Sequence, residues 1–142
     1  MSFDIFDTFA TDENLENNGA IFPLGKDSSL LIARAGNRKY SRAITKSVEN
    51  RKVELDMAGA DASDADNDAA AAVSDEIMVD VMARTILLGW TNLTFKKVEM
   101  GEYTVEKAKK LLAIKDFRKY VATFSDQMEA YKLKEEAEAG KG

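Results

Sequence analysis

The spacing of apolar residues predicts a chain built mostly from helices. After Asn37, a favourable N-cap residue, apolar side chains recur at every fourth position at Tyr40, Ile44 and Val48, which is the repeat of one helix face. Residues 75–88 are apolar on most sides. That pattern predicts a central helix surrounded by other elements.

The N-terminal third predicts a short helix and a β-hairpin. Thr11 is a plausible N-cap and Gly19 a plausible helix end, which brackets the helix. The apolar runs 20–24 and 29–34 are separated by the turn-forming sequence GKDS. We therefore expect a single hairpin, with Pro23 tolerated on its edge strand.

The end of the central helix contains the only tryptophan. Gly89 is the predicted left-handed residue that ends the helix, and Trp90 is predicted to fold back over the last turn. Replacing a buried Trp90 by alanine should cost roughly 3 to 5 kcal/mol of stability. The predicted structural core comprises Ile77, Val81, Ile86, Leu87 and Trp90.

Two helices are predicted after a loop at 91–103. Thr104 caps the first of them, and the second begins at Ile114. The second carries apolar residues at alternating spacings of three and four, which form a heptad seam. A seam of this kind is more often core than interface. Its members are Ile114, Phe117, Val121, Phe124, Met128 and Tyr131.

These elements predict a mainly α fold, a compact helical domain of about four to five helices with one N-terminal β-hairpin. Residues 1–142 form one domain, which is the usual outcome at this length. The Ala- and Asp-rich segment 57–74 is predicted to be a flexible connection. The charged residues 134–142 are predicted to be a disordered tail.

The composition argues against most kinds of catalytic and metal site. The chain has no cysteine and no histidine, so disulfides and the usual zinc, copper and iron ligands are absent. The sequence contains no nucleophile elbow, phosphate loop or dinucleotide fingerprint. We therefore expect no enzyme activity, no cofactor and no metal site. Whether the Asp-rich residues 61–75 bind a cation stays open, since Ala69 stands where a calcium loop needs glycine.

Charge is strongly segregated along the chain, whose net charge is −5. Residues 1–20 have five acids and no base, 26–52 have eight bases and two acids, and 53–80 have nine acids and no base. Such blocks indicate either pairing within the molecule or separate surfaces for partners. Four basic residues at a spacing of four, in and just before the helix predicted after Asn37, form a basic line. This line could contact nucleic-acid phosphates, although the acidic pI argues against it. That line is Arg34, Arg38, Arg42 and Lys46.

Four stretches in order resemble the tail assembly chaperones of long-tailed, siphovirus-like bacteriophages. They are FATDENLENNGAIFPLG, LLIARAGNRKYSRAI, RTILLGWTNL and GEYTVEKAKKLLAIKDFRKYVATFSDQM. The resemblance covers roughly residues 7–131, apart from 56–75. The occurrence of all four stretches in this order makes the resemblance specific.

The resemblance implies a protein that binds the tape measure protein, keeps it soluble and helps recruit tail tube subunits. Such chaperones act in the host cell cytoplasm and leave before the virion matures, and many relatives also have a frameshifted longer form that binds the tube protein. Self-association is a further expectation; nucleic acid and membrane are not expected partners. Helix-in-groove binding would suit this role. The candidate partner-binding residues are Phe117, Phe124, Met128 and Tyr131 for a groove and Arg38 and Arg42 at its rim.

Two other functions remain open on the sequence. A helical protein with a hairpin could be a structural component of the tail or neck of the virion. The basic line could instead belong to a nucleic-acid-binding regulator.

Overall fold

A computed structural model of the chain describes residues 2–133. Within that range there are seven α-helices, one 3₁₀ helix and five β-strands. The helices are α1 Ile5–Phe9, α2 Glu13–Asn18, α3 Arg38–Asn50, α4 Lys52–Leu55, α5 Asp64–Thr85, α6 Val105–Leu112 and α7 Lys115–Ser125, and the 3₁₀ helix spans Met128–Tyr131. The strands are β1 Ala20–Leu24, β2 Ser28–Ile32, β3 Leu87–Thr91, β4 Thr94–Phe95 and β5 Val98–Glu99.

The main sheet has three antiparallel strands in the order β1-β2-β3. β1 and β2 are the two strands of the expected hairpin, with Phe22 opposite Leu30. β3 adds to the other side of β2 and places Trp90 opposite Leu30. The central strand is therefore paired with a segment about 60 residues later in the chain.

The prediction of a mainly α fold with one hairpin is wrong, because the molecule is a mixed α/β structure with two sheets. Helix α5 ends at Thr85, and the apolar run that follows leaves the helix to become β3. Gly89 is thus a strand residue and has no positive φ. A short apolar run after a helix has the same composition in either state, so its periodicity could not separate the two.

The predicted loop 91–103 contains a second, two-stranded sheet formed by β4 and β5. Its turn residues Lys96 and Lys97 have φ values of 51° and 68°. Turns with left-handed backbone usually contain glycine or asparagine. Because lysines occupy both positions here, the sequence does not indicate this turn.

The segment expected to be a flexible connection is partly helical. Residues 64–74 form the first three turns of α5, and only 56–63 lie between helices. Ser63 caps the helix by accepting a hydrogen bond from the backbone N–H of Asp66, and acids favour the positive end of the helix dipole. Alanine has the highest helix propensity, so the composition that resembled a linker also suits a helix. The predicted tail at 134–142 lies outside the described residues.

The predicted last helix is interrupted. α7 ends at Ser125, and Met128–Tyr131 form a separate 3₁₀ turn. Because the break changes the direction of the chain, the heptad residues do not form one continuous stripe. Val121 and Tyr131 are buried, whereas Ile114 is 46% exposed.

Helix α5 lies between the other layers and contributes more buried residues than any other described element. Its residues Met82 and Ala83 join the sheet, α6 and α7 in one apolar cluster. Val73 and Ile77 pack on the other side against α3 and α4. A helix covered on several faces shows no single apolar stripe, which agrees with the apolar character of residues 75–88.

Candidate protein-binding surfaces

Four of the predicted core residues are buried in the structure: Ile77, Val81, Ile86 and Leu87. Trp90 is half-buried on β3. Its indole N–H donates a hydrogen bond to the backbone oxygen of Gly101 at 2.9 Å, and its ring meets Tyr103 edge-on at 5.1 Å. Trp90 therefore fixes the loop after β5 onto the main sheet and does not close the end of α5.

Three aromatic side chains on α7 form a connected row at the surface, which we call the aromatic ridge (Phe117, Tyr120 and Phe124). The Phe117 and Tyr120 rings are stacked with centroids 6.4 Å apart, and Tyr120 and Phe124 meet edge-on at 4.6 Å. Val121, four residues after Phe117 and three before Phe124, is fully buried beside the ridge and anchors α7 to the core. The ridge thus stands on a rigid base and leaves part of each ring accessible.

The predicted groove residues do not all join this ridge. Phe117 and Phe124 belong to it, and Met128 is half-buried on the 3₁₀ turn. Tyr131 is fully buried and its hydroxyl donates a 2.8 Å hydrogen bond to the backbone oxygen of Ile32. No surface of Tyr131 is left for a partner.

The predicted rim charges lie on α3, on a different element from the ridge. Arg38 and Arg42 are both exposed. A Glu13 carboxylate oxygen lies 3.9 Å from the Arg38 guanidinium, a separation at which two exposed charges contribute little. Arg34, from the same basic line, makes a closer 2.9 Å pair with Glu16.

Burial changes the acid–base properties of two tyrosines. Burial raises the pKa of Tyr131, and the nearby Arg34 guanidinium only partly offsets that effect. Burial also raises the pKa of Tyr103, with an opposing contribution from Arg84. Both hydroxyls donate to backbone oxygens, of Ile32 and Ala83, so they act as structural hydrogen-bond donors.

A groove of about 710 Å³ runs along α5, between α3 on one side and α6 and α7 on the other. Its acids come from α5 and its bases from the neighbouring helices. Arg51 pairs with Glu76 at 3.2 Å, Lys109 with Asp80 at 3.5 Å and Arg118 with Asp75 at 3.4 Å. The blocks of opposite charge are therefore partly neutralised within the molecule by ion pairs along this groove.

The N-terminal residues form an exposed apolar segment that the sequence reasoning missed. More than half of the side-chain surface is exposed at four of them: Phe3, Ile5, Phe6 and Phe9. The available signal was the run FDIFDTF, which has large apolar residues but matches no single periodicity. Tyr120 was missed too, although its spacing of three from Phe117 and four from Phe124 places all three on one side of a helix.

In residues 2–133 no helix is long and apolar enough to cross a membrane. Across the same part of the chain, no three or more acidic side chains come close enough together to hold a metal ion. In the Asp-rich residues 61–75, three aspartates lie in the first two turns of α5: Asp64, Asp66 and Asp68.

The chain matches a known protein family. The family model described as YdaY prophage protein matches residues 36–142, about three quarters of the chain. No curated protein and no solved structure matches the sequence or the fold. The match begins after β2 and includes the central helix, β3 and the aromatic ridge. This phage-derived chain belongs to the YdaY prophage protein family.

Proposed function

We propose that the chain is a phage tail assembly chaperone that binds the tape measure protein non-covalently, keeps it soluble and helps recruit tail tube subunits. The role is carried out in the host cytoplasm, and the protein leaves before the virion is complete. Its membership of a prophage family is consistent with a role in virion assembly, and the order of the four sequence stretches described above favours this particular one.

The main structural support is the aromatic ridge. A chaperone for a long amphipathic helix has to cover an apolar stripe on that helix, and aromatic side chains on a rigid helix provide large contact area at a small entropic cost. Tyr120 is 39% exposed, and its neighbours Phe117 and Phe124 are half-buried. The ridge can therefore lose further exposed area on binding without unfolding α7.

Co-expression with the tape measure protein from the same prophage tests the proposal. The chain should raise the soluble fraction of that protein and purify with it. Tyr120→Asp should abolish the effect while leaving the thermal melt of the chaperone nearly unchanged. Val98→Asp is the matched control, because Val98 is also exposed, at 69%, but lies on β5 away from the ridge.

A soluble fraction that stays the same with the wild-type chain present would contradict the chaperone role. Recovery of the chain from purified, complete particles would instead indicate a structural virion protein. Retention of labelled DNA or RNA on filters at low salt would indicate a nucleic-acid-binding regulator.

A further inference from the structure

The N-terminal apolar segment (residues 2–10) presents its hydrophobic side chains to solvent. None of the residues of α1 is buried, and the Phe3 and Phe9 ring centroids lie 6.3 Å apart. The segment joins the body at Ala10, whose backbone oxygen accepts a hydrogen bond from Leu133 at 3.0 Å. Several large apolar side chains exposed together indicate a surface that another molecule covers.

The same segment is acidic. Asp4 caps α1 by accepting a hydrogen bond from the backbone N–H of Asp7 at 3.1 Å, and both carboxylates are exposed. Among the described residues no basic side chain pairs with either of them. A matching surface would need basic residues beside apolar ones.

The outer surface of α3 and α4 has that combination. Arg38, Lys39, Arg42 and Lys46 are exposed along α3, and we call them the α3 basic face. Two exposed apolar residues follow it along the chain: Val53 on α4 and Met57 just after α4, which are 81% and 52% exposed. Tyr40 and Ile44, on the inner side of α3, pack against α5, so this outer surface is free without disturbing the core.

We propose that the N-terminal apolar segment of one copy docks on the α3–α4 surface of a second copy of this chain. The carboxylates of Asp4 and Asp7 face the α3 basic face, while phenylalanine rings cover Val53 and Met57. The segment does not cover this surface in its own molecule, because its apolar side chains remain exposed there. Opposite charge and apolar area on two surfaces of the same chain make another copy the partner that fits.

Contact between two different surfaces is heterologous, so a pair joined by one contact keeps one free donor segment and one free acceptor surface. Such contacts produce a ring when the rotation closes and an open filament when it does not. The purified protein should therefore increase in mass with concentration, up to the size at which the ring closes, or without a fixed limit if it forms a filament. This behaviour is independent of which phage protein the chain serves.

Light scattering coupled to size-exclusion chromatography of the purified full chain is the first measurement. The weight-average mass should rise with concentration at low salt and fall at about 1 M salt, where the Debye length is only about 3 Å. Phe3→Ser combined with Phe6→Ser should weaken association at least tenfold, since each ring loses burial against apolar partners. Val98→Ser, an equally exposed apolar residue on β5, should leave the mass unchanged.

Charge reversal identifies the two surfaces. Asp7→Lys alone and Arg42→Glu alone should each weaken association on the order of tenfold. An equimolar mixture of the two variants should restore it, because every donor then meets an acceptor of opposite charge. Lys119→Glu, which makes the same charge change as Arg42→Glu on α7, is the control and should have no effect.

A wild-type chain that stays monomeric at all concentrations and salts would overturn this proposal. So would association that survives the double serine variant, or a mixture of charge variants that associates no better than either alone. These measurements use the chain by itself, so their failure leaves the result with the tape measure protein unaffected.

Discussion

At the scale of single residues, Tyr131 connects the end of the described chain to its beginning. Its hydroxyl bonds to Ile32 on the central strand, its ring lies 6.2 Å from Phe22, and the Arg34 guanidinium lies 5.9 Å from the ring centre. A residue that was a candidate for a partner-binding groove is therefore part of the core. The seam pattern could not reveal this, because the break at Asp126 depends on how the chain continues in space.

Tyr131→Phe should lower the free energy of unfolding by about 1 to 2 kcal/mol, because the buried Ile32 carbonyl loses its hydroxyl donor. Urea unfolding followed by Trp90 fluorescence measures the change. Tyr120→Phe removes a hydroxyl from an exposed ring and should cost only a few tenths of a kcal/mol. Equal effects of the two substitutions would contradict the role given to the Tyr131 hydroxyl.

Tyr131 also makes stability depend on pH at the alkaline end. Because its pKa is raised in the folded protein, the native state keeps a proton that the unfolded state releases above about pH 10. The stabilisation is complete below that pH and is lost as pH rises. The difference in unfolding free energy between wild type and Tyr131→Phe should fall by about 1.4 kcal/mol per pH unit above pH 10. A constant difference across that range would show that the folded hydroxyl titrates normally.

Trp90 should contribute less to the free energy of unfolding than a fully buried tryptophan would. Since it is half-buried, Trp90→Ala should cost about 2 to 3 kcal/mol, below the range for fully buried aromatic residues. Trp90→Phe should recover most of that loss and leave only the missing hydrogen bond to Gly101, about 1 kcal/mol. Thermal melts of the two variants followed by circular dichroism would separate ring packing from the hydrogen bond.

At the scale of elements, two glycines distinguish a strand from a helix end. Gly89 lies on β3 without a positive φ, and an added Cβ would meet Leu31 at an ordinary 3.5 Å. Gly19 has φ of 98°, and its Cβ would lie 2.9 Å from the Leu31 side chain. Both glycines face the same leucine, but only Gly19 needs the left-handed conformation.

Gly89→Ala should therefore change stability by less than about 1 kcal/mol, and Gly19→Ala should cost about 1 to 2 kcal/mol. Chemical unfolding of the two variants in parallel makes the comparison. A larger loss for Gly89→Ala than for Gly19→Ala would favour the helix-ending role that the sequence suggested.

Helix α5 gives a second comparison between elements. Ala72 is exposed within the helix, and Ala60 lies in the segment before Ser63. Ala72→Pro should cost about 3 kcal/mol and reduce helix content, because proline removes a backbone donor and collides with the preceding turn. Ala60→Pro should cost much less. Similar small losses at both positions would mean that residues 64–74 are a flexible connection after all.

What the sequence could predict at this scale depended on local signals. Asn37 and Thr104 cap α3 and α6 as their types suggest, each accepting a backbone hydrogen bond three residues later. The hairpin strands were also visible, since two short apolar runs flank a turn. β3 was not visible, because its hydrogen-bond partner β2 lies about 60 residues earlier and no local pattern encodes that pairing. The N-terminal apolar segment was missed because exposure, unlike hydrophobicity, is a property of the fold.

At the scale of the whole molecule, the family match and the folding unit have different boundaries. The match begins at residue 36, but β3 and the Tyr131 hydroxyl both depend on β2, which ends at Ile32. The part of the chain that the family model matches therefore leaves out β1 and β2, the two strands that pair to form the rest of the main sheet.

A fragment of residues 36–142 should lack cooperative unfolding, because β3 loses its only strand partner in the described structure. Circular dichroism during a thermal scan would show a broad, shallow change. Adding a synthetic peptide of residues 1–35 should restore a sharp transition. A fragment that unfolds as sharply as the full chain, without the peptide, would show that β1 and β2 are dispensable for the core.

The position of β2 in the middle of the sheet has a consequence for synthesis on the ribosome. At elongation rates of roughly 5 to 20 residues per second, several seconds separate the emergence of the hairpin from that of the strand that completes the sheet. During that interval Leu30 and Ile32, fully buried in the finished fold, have no cover from α5 or β3. The nascent chain of this proposed chaperone is therefore itself prone to aggregation during synthesis. Its yield in the cell should depend on the host factors that bind nascent chains.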